Sequence, residues 1–440
     1  MTLNSKKKKA IAESEKIAQL CTNQWFSRVW TIQEFLLAKS ATFLMGDVEC
    51  PTLDLYTYYR LGKDLVKRAD LEHYRTRNIL AEASSGVTRI PAFKRLMILV
   101  LELTALSNAS DPRDKVYGMN AYLKRVLPDI DLPPVDYANP LQEVYEQFTR
   151  FLIEITGSLW PLEFLGTHKP AESDMPSWVI DLRDPDGLAS LWNSSWVRSS
   201  TSRSTLPEGD YQDIKIPYTA GELIVRAKSI AEVARTSSRM PFWDSSTMTT
   251  STKIMDEART ACLSEWTAFV VDLDMCIDPA DSPYVSTNGK YHDEPYSRTL
   301  QSFTTELDYL RLRHELKDDI GESSWMPDSS RAHKRKLKER EEKMKEALED
   351  SQAYDDDVRA HDMSVLFLMS NGYLAESQGD VQEGDSVCLV EGSRYAMVLR
   401  SQENGYALIG KAGIFTDSKE ESWSPVKLSE DPDSTHILLV

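Results

Sequence analysis

The last hundred residues constrain the fold more than any other part of the chain. Apolar residues alternate through 365–369, 386–390, 396–399 and 407–409, and the runs are separated by Gly372, Gly379, Gly384, Gly392, Gly405 and Gly410. A period of two is that of a strand with one buried face, and glycine is the residue that tight turns tolerate best. Short strands joined by glycine turns predict a small β-barrel or meander at the carboxy-terminal end.

The rest of the chain does not share this pattern. Of 440 residues, 41% are hydrophobic and 27% charged, close to the average for globular proteins, so a sizeable core is within reach. No stretch approaches the roughly 20 continuous apolar residues that a membrane-spanning helix needs, which excludes an integral helical membrane protein. The net charge of −18 repels phosphate backbones and argues against general nucleic-acid binding. Cys21, Cys50, Cys262, Cys276 and Cys388 are scattered and odd in number, so neither a disulfide framework nor a thiolate zinc site is indicated. The basic run Lys6 to Lys9 has no apolar segment behind it and is no secretory signal. Together these point to the cytoplasm.

Helical signals dominate the first 160 residues. A helix is expected from about Arg28 to Lys39, capped by Ser27, running into a short strand at 41–45 and a turn at Gly46-Asp47. Residues 90–106 are apolar nearly all round in their second half, as in a deeply buried helix. Next comes SDPRDKVYGMNAYL. There Asp111 can cap, Pro112 suits the first helical position and Asp114 favours the positive helix end, which predicts one helix through Tyr122. Another opens at Asn139-Pro140; Leu141, Val144, Tyr145, Phe148, Leu152 and Ile155 form its stripe, and Gly157 closes it. Residues 175–185 read as an extended segment around a buried Trp178, with Asp181 and Arg183 as a structural ion pair. The polar tracts 193–218 and 244–252 read as loops, with strands between them from Leu223 onward. Residues 331–357 are charged almost throughout and read as either an exposed helix or a disordered insertion.

No phosphate-binding loop, dinucleotide fingerprint, zincin or nucleophile-elbow motif is present. The seven histidines are isolated from one another and build no metal site. One compact cluster remains: Arg28, Trp30, Gln33 and Glu34. Spacings of three and four bring Trp30, Gln33 and Glu34 toward one side of a helix. A carboxylate beside a large aromatic can be desolvated and can bond a sugar hydroxyl. Alternatively, Trp30 packs in the core while Arg28 and Glu34 pair or hydrogen-bond to tie the helix to its neighbours.

The combination of these segments resembles the fungal heterokaryon incompatibility (HET) domain family. WFSRVWTIQE resembles its R-x-W-x-x-Q-E block, carried here by Arg28, Trp30, Gln33 and Glu34, and SDPRDKVYGMNAYL resembles the D-P-R-D-K-V-Y segment that follows. VDYANPLQEVYEQF, MPSWVIDLRDP and the glycine-rich stretch 371–392 are similar to its downstream segments. The blocks that open the family's domain, one like G-Y-x-A-L-S-Y-x-W-G and one containing C-I-D-Q, are not in this sequence. The resemblance therefore implies the carboxy-terminal half of an α/β domain similar to Toll/interleukin-1 receptor (TIR) domains over 1–115, and a mainly helical extension over 116–330. It further implies the charged segment 331–357 and the β tail over 358–440.

The function so implied is fungal nonself recognition and programmed cell death, exercised through a protein partner or self-association. Similarity to TIR folds also implies NAD as a substrate for some members, with Glu34 as the catalytic carboxylate. With the opening blocks missing, the expectation for this chain is little or no NAD cleavage, no bound cofactor and no metal. An inert truncated gene product is the remaining alternative.

Overall fold

The computed structural model describes residues 25, 28–38, 42–45, 48–51, 101, 104, 107–165, 174–183, 221–241, 251–276, 363–393, 395–415, 428 and 431–440. Several expectations lie outside these residues: the Ser27 cap side chain, the Gly46-Asp47 turn, most of the 90–106 helix, the 193–218 loop and the charged segment 331–357. The chain divides into two compact units, one of Met1–Gly157 with Val179–Ala189 and one of Ser158–Trp178 with Ser190–Val440. It mixes helix and strand and carries an antiparallel sheet toward its carboxy-terminal end.

In the first unit, α1 (Val29–Leu37) begins one residue later than expected. Arg28, not Ser27, holds the cap position in an extended conformation and makes no side-chain cap bond. The cap comes from tertiary structure instead. The Val29 N–H donates to the Asn108 carbonyl at 3.0 Å, satisfying one of the amides that every helix start leaves open. Strands β1 (Thr42–Met45) and β2 (Val48–Pro51) pair as an antiparallel hairpin, with Met45 opposite Val48.

The D-P-R-D segment forms two short helices, α2 (Asp114–Tyr117) and α3 (Asn120–Val126), where one was expected. The break falls at Gly118 and Met119. A Cβ on Gly118 would sit 2.8 Å from the Asp114 carbonyl and 3.0 Å from a Val29 methyl, so no side chain fits where Val29 of α1 meets this break. Helix α4 (Leu141–Thr156) follows the expected stripe, with Val144, Tyr145, Phe148 and Leu152 buried. Gly157 closes it at φ 57°, its N–H reaching the Ile153 and Glu154 carbonyls. Thr149 on α4 accepts the Ile180 N–H at 3.1 Å and so fixes the segment that follows residue 178.

The second unit is built on β3 (Leu223–Arg239). Strands β4 (Val365–Met369), β5 (Leu374–Ser377), β6 (Ser386–Val390), β7 (Ala396–Gln402), β8 (Gly405–Ile414) and β9 (Thr435–Leu439) complete its sheet. The order β4-β5-β8-β7-β6-β3 returns to β4 through a β3–β4 pairing, so the sheet closes on itself, and β9 lies along the first residues of β3. The expected alternatives, barrel or meander, resolve to a closed barrel. Seventeen residues let β3 pair in turn with β9, β6 and β4, and register shifts near Ser229/Ala231, Val233/Arg235 and Thr236/Arg239 bend it around the barrel. Closure removes the exposed edges that would otherwise template aggregation.

The barrel interior holds Phe367, Met369, Val233, Val387 and Val398 against Ala231, Ala375, Ala396 and Ala412. Small residues opposite large ones are what a narrow barrel needs, since a lining made of large side chains alone would not fit. Gly372, Gly384 and Gly392 adopt positive φ and make turns as expected. Gly410 does not turn: it lies inside β8. A Cβ on Gly379 would stand 2.3 Å from the Ile409 carbonyl, and one on Gly410 3.1 Å from Ser377 Oγ and 3.2 Å from Gly379, so both glycines serve close backbone approach.

Helix α5 (Ser251–Cys276) covers the end of β3 and begins inside the tract 244–252 that reads as a loop in sequence. Its buried stripe is Arg259, Cys262, Leu263, Trp266, Phe269 and Val270. The Trp266 indole donates to the Ser238 carbonyl at 2.9 Å, and Arg259 to the Pro241 carbonyl at 3.1 Å. Both Trp160 and Trp178 are core residues, with the Trp178 indole donating to Gly221.

Candidate functional site

The motif residues of the first unit come together where α1 meets α2. Trp30 is half-buried, and its indole N–H donates to Asp114 Oδ2 at 2.9 Å across 84 residues of sequence. The other oxygen, Oδ1, accepts the Tyr137 hydroxyl. A single carboxylate thus ties α1, α2 and the segment before α4, with both oxygens used. Partial burial and the Asp114 carboxylate push the Tyr137 phenol up to about 12.

Immediately before Asp114, Asp111 and Arg113 form a tight turn. Asp111 Oδ1 accepts the Arg113 N–H at 3.0 Å, as a capping side chain does, and Arg113 also grips the carboxylate with Nε and Nη2 at 3.0 and 2.7 Å. The guanidinium holds the Asp111 carboxyl below its ordinary value, and the carboxylate raises Arg113 in return. Pro112 offers its carbonyl to the Tyr145 hydroxyl at 2.8 Å. Burial, with a smaller contribution from Asp181, raises that phenol well above its ordinary value.

Asp181 and Arg183 repeat the Asp-x-Arg turn almost atom for atom: the Arg183 N–H lies 3.0 Å from Oδ1, Nε 2.9 Å from it and Nη2 2.6 Å from Oδ2. This is the structural ion pair expected from sequence. The geometry shows why both positions carry Asp-x-Arg, since a carboxylate two residues before an arginine can bond its amide and its guanidinium at once.

The R-x-W-x-x-Q-E residues therefore divide. Trp30 makes the tie to the rest of the unit. Arg28 and Glu34 are exposed, and among the described residues no ion pair joins them; the side-chain tie between the two motif segments is that of Trp30 to Asp114. Gln33 is half-buried, and its buried Oε1 has no hydrogen-bond partner among the described residues. The aspartates serve as acceptors for neighbouring donors and tie these segments of the unit together. Among the described residues no group of histidine, cysteine, aspartate and glutamate is placed to hold a metal ion.

Sequence reasoning did not single out Tyr117, Asp136 or Tyr137. Their signal was weak, because Tyr117 reads as an ordinary position within one predicted helix and Asp136 and Tyr137 lie in the stretch before the next. The Tyr117 hydroxyl donates to the Asp136 carbonyl at 2.9 Å, and its ring meets Tyr137 edge-on at 5.1 Å.

The barrel has its own polar centre at the 378–385 connection. Arg400 grips Asp385, which is 3% exposed, through Nε at 2.8 Å and Nη2 at 2.9 Å, and it also donates to the Asp380 carbonyl. From the other side Arg239 donates to the carbonyls of Met363, Gln378 and Gly379. Burial lowers the Arg239 guanidinium from its ordinary value, with Asp380 partly offsetting the effect. Two arginines from β3 and β7 thus hold one loop.

Among the described residues no helix is long and apolar enough to cross a membrane. No curated protein matches the chain, and no solved structure does. Residues 281–418, just under a third of the chain and including β4 to β8, match the family model described as the Het-6 beta-barrel domain, which relates this barrel to heterokaryon incompatibility proteins.

Proposed function

We propose that this protein acts in fungal heterokaryon incompatibility, as a cytoplasmic nonself-recognition protein that promotes programmed cell death through protein contacts. The observation that carries the reading is the Het-6 beta-barrel match over 281–418. The segments before the barrel support it, because the R-x-W-x-x-Q-E helix and the D-P-R-D-K-V-Y helices, far apart in sequence, are joined side chain to side chain through Trp30 and Asp114. In this reading residues 1–115 are the carboxy-terminal half of a TIR-like α/β domain and the barrel is a rigid partner-binding module. A closed sheet held at one loop by Arg239 and Arg400 suits that role, since it offers a fixed surface and no free edge.

The test is expression in a fungal host carrying different incompatibility backgrounds. The expected result is growth arrest or death of fused cells in at least one pairing, lost when the barrel is disrupted by Gly379→Val. Viable fusions in every pairing, with the protein detectably expressed, would refute the proposal.

A further inference from the structure

We draw no further inference here: the strongest candidate, the buried Gln33 Oε1 on α1 beside the exposed Glu34, belongs to the side-chain cluster already described, and nothing among the described residues shows what group would donate to it.

Discussion

Replacing Arg400 by methionine removes the partner of a carboxylate that has almost no access to water. Asp385 is 3% exposed, and besides Arg400 it accepts the Gln382 N–H at 2.8 Å. Removing one member of a buried ion pair costs about 3–5 kcal/mol, because the other charge stays desolvated. The Arg400 side chain is 27% exposed, so water can enter part of the space it leaves, which lowers the expected cost to about 2–3 kcal/mol. The assay is native-state hydrogen exchange at the Val387 and Val398 amides, on the paired strands β6 and β7 that flank the ion pair. A loss of about 2–3 kcal/mol accelerates exchange there by roughly 30- to 150-fold, at about 1.4 kcal/mol per factor of ten. In a cycle with Asp385→Asn, the double variant should be less destabilised than the sum of the two singles, since no charge is then stranded. Exchange within threefold of the unaltered protein for Arg400→Met, or strict additivity in the cycle, would show that the pair does not hold the loop.

Three further outcomes are expected. Gly379→Ala should lower the thermal midpoint more than Gly410→Ala, because its Cβ meets the rigid Ile409 carbonyl at 2.3 Å while the other first meets a serine hydroxyl at 3.1 Å; equal midpoints contradict this. The Asp111 carboxyl is depressed by Arg113, so its contribution is present above the ordinary carboxylate value and is lost as pH falls through the depressed one. Asp111→Asn should therefore flatten the acid limb of a stability profile below about pH 4, and an unchanged limb counts against the turn's role. Burial pushes the Cys388 thiol up to about 11, which leaves little thiolate near neutrality. At pH 8 a maleimide should label it only after denaturant is added, as read by peptide mass spectrometry; rapid native labelling would contradict its burial.

How far the fold can be read from sequence depends on the range of the interactions. Helix α4 was legible in its stripe and in its Gly157 end, which are local signals, while its start falls at Leu141 with Pro140, and not Asn139, at the cap position. The glycine-punctuated strands were legible for the same reason. Helix α5 carried a readable stripe from Arg259 to Val270, but its polar opening at Ser251 drew the reading toward a loop. The split of α2 from α3 was not legible, since it arises where a Val29 side chain meets Gly118, about 90 residues away in sequence. The Asp-x-Arg turns were visible as pairs of charged residues. The use of Trp30 as the donor to Asp114 was not, because nothing local says which of several neighbours an indole will reach.

By itself the sequence determined where β4, β6, β7 and β8 lie, the buried stripe and Gly157 end of α4, and which residues form the motif helix, since each rests on spacing within one segment. Only the tertiary structure decided that β3, more than a hundred residues upstream, closes the barrel, and that Gly410 lies inside a strand as a point of close backbone approach and not at a turn. It also decided that the motif aspartates are spent on holding their neighbours. The physical reason is common to all three. Closure, close approach and hydrogen-bond partners are properties of pairs of distant residues, and a pattern along the chain carries only the preferences of each member.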